Sequence, residues 1–423
     1  MEINVYFIII FAAVFVFYKL DLFSEMLNLK ALKGTLPKEF DDVFDAEAYE
    51  KSQDYTRVRT TFGMVEASFG LVVFICFWLF GGFGFVNGLV TGWFDGPIVQ
   101  GLAFCGLLLV GQQLLSLPFE IYSTFVIEER FGFNKTTPKT FVVDMIKGLV
   151  LGAIIGAPLL ALILWIFGAV AMAWLWAFIL VAAFTLFLTY IAPTWIMPLF
   201  NKFEPLEDGE LKDEINKMAE KCDFPLTELS VMDGSKRSAK SNAFFTGLGK
   251  NKKIALFDTL IEKHTTPELV AVLAHEIGHF KRKHILQSLV VGMLNLAFTF
   301  FLLSLFIGNG DLLAAFGIKG EGGAVLAGKD VPVYLSLIFF GMLFQPISKL
   351  TSIFMTMLSR KNEFEADAYA AEVTGNPDVM ISALKKLSKD NLSNLTPHPF
   401  YVFLNYSHPP VLQRIEALRA KAS

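Results

Sequence analysis

Residues 274–280 read AHEIGHF, so His275, Glu276 and His279 complete an H-E-x-x-H pattern. On a helix, positions i and i+4 lie one turn apart on a single face, and two imidazoles so placed reach one zinc ion. Glu276 then sits about 100° round the helix, beside the open coordination position. That combination suits hydrolysis in which a metal polarises a carbonyl and a carboxylate moves the proton. With six histidines in 423 residues, chance rarely produces it. A catalytic zinc of this type needs a third protein ligand, and residues 359–372, SRKNEFEADAYAAE, supply candidates. Glu363 and Asp367 are spaced i, i+4, so one can bind metal while the other hydrogen-bonds the free ring nitrogen of a ligand histidine. Glu365 projects to another face and reads as a solvated or ion-paired group.

The helix carrying His275 has clear ends. Either Thr266 caps it with Pro267 as the first residue, or Thr265 and Glu268 form a capping box. Lys281, Arg282 and Lys283 load its last turn, as a helix C-terminus prefers. Upstream, residues 209–223 have helical spacing at Leu211, Ile215 and Met218. Residues 228–233 alternate as a short strand, and SAKSNAFFTG at 238–247 leads through a Gly/Lys/Asn turn into the apolar run 254–257. A small sheet with a hairpin is expected.

These segments are embedded in a chain that is 54% hydrophobic and only 18% charged, with 44 phenylalanines and a mean hydropathy of +0.52. Such a balance excludes a single water-soluble domain, disorder and a coiled coil. Seven apolar stretches can cross a bilayer, near residues 3–18, 64–85, 99–117, 148–168, 171–192, 285–308 and 332–352. The fourth and fifth form a tight helical hairpin. The first carries Glu2 and no basic residue at its leading end, and no small-x-small site follows, which argues against a cleaved signal peptide. Alternate loops are rich and poor in basic residues, with 34 of 36 Lys and Arg on one side. The positive-inside rule makes that side the cytoplasm. Residues 193–284 and 353–423 would lie there together and share one domain, flanked by membrane segments 1–192 and 285–352. Polar groups near the spans, among them Glu66, Gln112, Gln113 and Glu120, are expected to face the bundle interior or a wet cavity. Cys76, Cys105 and Cys222 stand too far apart to suggest a disulfide framework.

The H-E-x-x-H after a T-P-E-L helix start, the E-F-x-A-D segment, S-N-A-F-F-T-G at 241–247, and S-H-P-P followed by Arg414 together resemble the CAAX prenyl protease 1 family of integral-membrane zinc metallopeptidases. The resemblance covers essentially the whole chain. It implies seven transmembrane helices enclosing a water-filled chamber, and a small α+β zincin-type domain built from the loop between spans five and six plus the C-terminal tail. It implies one zinc per chain on His275, His279 and Glu363, Glu276 as catalytic base, and Asp367 supporting a histidine ligand. Asn242 and Ala243 would lie on an edge strand that pairs with substrate, and His408 and Arg414 would contact the scissile carbonyl or the substrate terminus. Without the family, 241–247 reads as an ordinary hairpin strand, His408 as a surface histidine and Arg414 as an ion-paired helix residue. His264, His284 and His398 have no partner pattern and read as structural.

The expected partners are a peptide or protein substrate, by resemblance prenylated, and the lipid bilayer, with no nucleic acid. A quality-control protease acting on non-prenylated substrates and a transporter with a structural zinc site are the competing readings. The compact length suits a bacterial inner membrane, and an endoplasmic-reticulum protein would show the same charge alternation.

Overall fold

The computed structural model describes residues 1–246 and 252–422. The membrane part opens with α1 (Val5–Lys30), whose first turn is capped where the Asn4 side chain accepts the Phe7 N–H. It continues through α2 (Ala46–Leu79), α3 (Gly82–Trp93), α4 (Pro97–Tyr122), α5 (Pro138–Ala169) and α6 (Ala173–Ile191). The polar part then begins with β1 (Phe203–Pro205), α7 (Glu210–Lys221), β2 (Leu226–Met232), β3 (Ala243–Thr246), β4 (Lys252–Phe257), α8 (Asp258–Lys263) and α9 (Thr266–Lys281). The chain returns to apolar helices in α10 (His284–Ser304), the short α11 (Gly310–Ala314), α12 (Val333–Leu343) and α13 (Gln345–Thr374). It ends on α14 (Pro377–Asp390), α15 (Pro399–Asn405) and α16 (Val411–Ala422).

Among the described residues six helices are long and apolar enough to span a bilayer, and α12 with α13 makes a seventh if that pair, bent by 56°, is one span. Two differences from the expected spans have local causes. The apolar run 64–85 does not form one helix, because Gly81 takes φ +77, ending α2 and starting α3. A side chain on Gly82 would meet the Phe77 ring at 2.3 Å, so the turn also needs that residue bare. The last run bends just before Pro346, whose ring removes a helical donor. The spans bury only 6 to 17% of their most apolar windows, and they meet through clusters such as that of Ile10, Trp78, Phe104, Leu164 and Tyr334.

In the polar part, the sheet order is β1-β2-β4-β3, with β2 and β4 parallel and the other pairs antiparallel. β3 pairs with β4 from Ala243 opposite Leu256 to Thr246 opposite Lys253, which leaves β3 at an edge. β1 is the strand that the sequence pattern did not anticipate. The sequence Gly247–Asn251, including the turn expected there, lies outside the described residues. α9 is apolar on most of its circumference and is correspondingly buried, from Leu269 through Ala274 and again at Ile277. The capping box holds its start. The Thr265 N–H donates to Glu268 Oε2 at 2.9 Å, and the same buried carboxylate accepts from Ser382 and Lys386. Burial alone would raise Glu268, but these donors hold it down at about 2. Phe40, Phe44 and Tyr49, which lie ahead of or within the first turn of α2, join the same core, anchored by Lys385 to Glu39 and Asp42.

α9 crosses α13 very closely. A Cβ on Gly278 would stand 3.1 Å from both the Cα and the carbonyl oxygen of Ala366. Backbone atoms cannot swing aside, so glycine there sets the distance between the two helices. Gly278→Val should destabilise the protein by about 1–3 kcal/mol through overpacking, and should lower its metal content in parallel. Thermal unfolding in detergent and elemental analysis check this; an unchanged midpoint would mean that the crossing has slack.

Candidate metal centre

α9 supplies His275, Glu276 and His279, and α13 supplies Glu363 and Asp367. His284 opens α10, and the extended stretch before α16 brings His408, with Arg414 in the first turn of α16. His275 Nε2 and His279 Nε2 lie 3.2 Å apart, His279 Nε2 is 3.3 Å from Glu363 Oε1, and His275 Nε2 is 3.5 Å from Glu363 Oε2. Ligand atoms held about 2.0–2.1 Å from one tetrahedral ion would stand about 3.3 Å from each other. The donor set of two imidazoles and a carboxylate therefore has the size of one metal ion, and the three residues form the group among the described residues that can hold one. Glu363 Oε2 is buried and no hydrogen bond reaches it, which fits an oxygen reserved for a cation.

The other ring nitrogens are tied. His275 Nδ1 meets Asp367 Oδ1 at 2.9 Å. Asp367 in turn accepts two bonds from Arg414, Nε to Oδ2 at 2.7 Å and Nη2 to Oδ1 at 2.6 Å. His279 Nδ1 meets His284 Nδ1 at 3.1 Å, and His284 Nε2 meets Glu365 Oε2 at 3.1 Å. Burial would depress the His275 imidazole, yet Asp367 and Glu363 overcome it and carry it up to about 9. A proton and a metal thus compete for the same nitrogen, and metal binding must release that proton. Burial raises the Glu276 carboxyl above its usual range, while the imidazoles of His275 and His279 pull it back.

The remaining expected residues fall in different places. Ala243 opens edge strand β3 and Asn242 precedes it; the Asn242 side chain accepts the Ala243 N–H, and its carbonyl accepts the Phe257 N–H. His408 reaches the cluster, with Nε2 3.4 Å from Glu363 Oε1 and a side chain 63% exposed. Arg414 is buried, its fork engaged by Asp367 and its Nη1 3.4 Å from Glu363 Oε2. Glu365 is ion-paired as expected, to Lys361 at 3.6 Å, but its other oxygen holds buried His284. His284 is the residue that the sequence pattern missed. His264 Nδ1 meets the Leu260 carbonyl at 3.2 Å, and His398 accepts the Phe400 N–H.

Comparison with known proteins bears on this geometry. Residues 25–202 match the family described as CAAX prenyl protease N-terminal, five membrane helices, and residues 205–422 match peptidase family M48. The chain is 38% identical to CAAX prenyl protease 1 of Saccharomyces cerevisiae over 92% of its own length and 89% of that protein. It is 35% identical to the mouse CAAX prenyl protease 1 homolog over 97% of its length and 95% of that protein. The crystal structure of S. mikatae Ste24p superposes with a TM-score of 0.92 at 34% identity, covering 99% of this chain and 100% of that one. The chain belongs to the CAAX prenyl protease 1 family. As a family member it is a multi-pass membrane metalloendopeptidase of peptidase family M48, which implies a metal and a peptide or protein substrate.

The Asp367–Arg414 pair is buried on both sides, with side-chain exposures of 2% and 10%. Removing one partner leaves the other charge uncompensated. Arg414→Leu should therefore destabilise the protein by about 3–5 kcal/mol; chemical unfolding in detergent measures it, and a loss below 1 kcal/mol would show the pair to be dispensable.

Proposed function

We propose that this family member is a zinc-dependent endopeptidase that cuts prenylated CAAX-type substrates near their C-terminus, with its polar domain facing the cytoplasm. The observation that carries the reading is the convergence of His275 Nε2 and His279 Nε2, 3.2 Å apart, on the Glu363 carboxylate, with His279 3.3 Å from Oε1 and His275 3.5 Å from Oε2, and Glu276 on the same helix as the histidines. Imidazole and carboxylate donors in a four-coordinate arrangement suit zinc. When bound there, zinc supplies Lewis acidity towards the substrate carbonyl and acidifies water near neutral pH.

The chain's own groups carry the remaining steps. Ala243, on edge strand β3, and Asn242 just before it mark the edge to which an extended substrate backbone adds as a strand. Glu276 takes the proton of the attacking water and later delivers it to the leaving amine. His408 is exposed beside Glu363 and donates to the carbonyl oxygen as negative charge develops. Asp367 holds the His275 ring through its Nδ1–H, and Arg414 holds Asp367, which makes Arg414 a positioning residue rather than a substrate contact. An apolar cavity of about 720 Å³ between α2, α3, α4 and α12, lined in part by Phe69, Val73, Leu108 and Leu115, supports a lipid-modified substrate.

Glu276→Gln should keep zinc and fold while lowering kcat by at least about 10²–10⁴-fold. Chelation should abolish activity, and a farnesylated peptide should be cleaved in preference to its unmodified form. Equal cleavage of both peptides would turn the reading to quality control, and zinc without hydrolysis would turn it to a structural site. The charge asymmetry gives a separate check: a tag after Ser423 should be accessible from the cytoplasmic side, and a cysteine replacing Lys319 from the opposite side. Labelling of both from one side would refute the orientation.

A further inference from the structure

The two histidines of the centre are supported unequally. The Nδ1 of His275 leans directly on Asp367, whereas the Nδ1 of His279 faces an imidazole, His284 Nδ1 at 3.1 Å, and Glu365 lies beyond, 3.1 Å from His284 Nε2. On an uninterrupted helix, residues i and i+5 would stand about 140° apart and could not meet in this way. Lys283 resolves the geometry. It adopts φ +60, ψ +27, between the end of α9 and the start of α10, and this left-handed residue turns the chain so that His284 folds back beneath His279. A non-glycine residue held in that region is strained, and such strain persists where the surrounding structure demands it. His284 is only 4% exposed, so a polar ring has been buried with both nitrogens partnered.

We propose that His284 and Glu365 form a positioning relay that fixes the tautomer and orientation of His279, as Asp367 does for His275. The inference rests on the reading of His275, His279 and Glu363 as the metal-holding set. The donors balance in one order. His279 Nε2 faces His275 and Glu363, so its proton sits on Nδ1 and is donated to His284 Nδ1; His284 Nε2 then carries its own proton and donates it to Glu365. Lys361, one turn before Glu365, lies 3.6 Å from its other oxygen, Oε1. The relay thereby delivers a carboxylate's influence to the second ligand through an intervening imidazole. Outer partners of ligand histidines orient the ring and raise its basicity.

The test uses the full-length protein in detergent, with zinc affinity measured by chelator competition and ligand geometry by the absorption spectrum of the cobalt-substituted form. His284→Leu and Glu365→Ala should each weaken zinc binding about 10–100-fold and shift the cobalt bands. The double variant should be no weaker than the worse single one, because both interrupt one chain of hydrogen bonds. His284→Asn, which retains an acceptor, should recover part of the loss. Thermal unfolding in excess zinc should match that of the unaltered protein. If His284→Leu fails to fold, the half-exposed Glu365 still gives the result through Glu365→Ala. Wild-type affinity and spectrum in Glu365→Ala, or additive losses in the double variant, would overturn the relay alone. Retention of zinc by His275→Ala would instead overturn the metal-site reading, and the relay with it.

Discussion

The close crossing of α9 and α13 is the constraint on which the centre depends. Gly278 lies between the two histidines of the H-E-x-x-H turn, and its missing side chain lets the Ala366 backbone approach to 3.1 Å of where a Cβ would stand. Ala366 is itself between Glu363 and Asp367. Small residues at the crossing thus bring the polar residues flanking them face to face, and Glu363 and Asp367 arrive opposite His275 and His279 without any loop having to order. Neither helix is held by this contact alone. α9 is fixed at its start by Glu268, which ties it to α14 through Ser382 and Lys386, and α13 is tied to α16 through Asp367 and Arg414.

Both helices also continue into the membrane part. α9 passes through Lys283 directly into α10, and α13 is the longer arm of the bent pair that begins with α12. The centre therefore sits where the polar domain meets the spans, rather than on a tethered module. Packing of Phe40, Phe44 and Tyr49 into the polar core adds a second attachment, from the connection between α1 and α2. A domain fixed at several points to widely separated helices is a rigid way to keep an active centre at one depth.

Much of this was legible in sequence because the decisive patterns are local. The i, i+4 spacing of His275 and His279, the capping residues Thr265 and Glu268, and the alternation in 228–233 each reflect a single element's own geometry. What was hidden depended on backbone states that periodicity cannot register. Lys283 takes a positive φ that its type does not advertise, and without that turn His284 showed no partner pattern. Gly81 divides an apolar run that hydropathy reads as continuous, and Pro346 marks a bend that hydropathy ignores. Arg414 was legible by itself only as an ion-paired helix residue, and the resemblance alone put it near the site; its burial follows from how α16 docks on α13.

Charge balance gives the centre its remaining logic. Glu276, Glu363 and Asp367 bring three carboxylates into a space from which water is largely excluded, and Arg414 is the permanent cation facing them, bonded to Asp367 and within 3.4 Å of Glu363. Uncompensated buried carboxylates are costly. A single divalent ion at the histidine nitrogens closes the balance, whereas a monovalent one leaves an excess negative charge. The same balance explains why Asp367 and Glu363 raise the His275 imidazole above its usual range despite burial: a proton there partly substitutes for the missing positive charge. Under the proposed reading, the metal and Arg414 divide the acidic residues between them, Arg414 neutralising Asp367 so that the ion answers to Glu363 and leaves Glu276 free to carry protons.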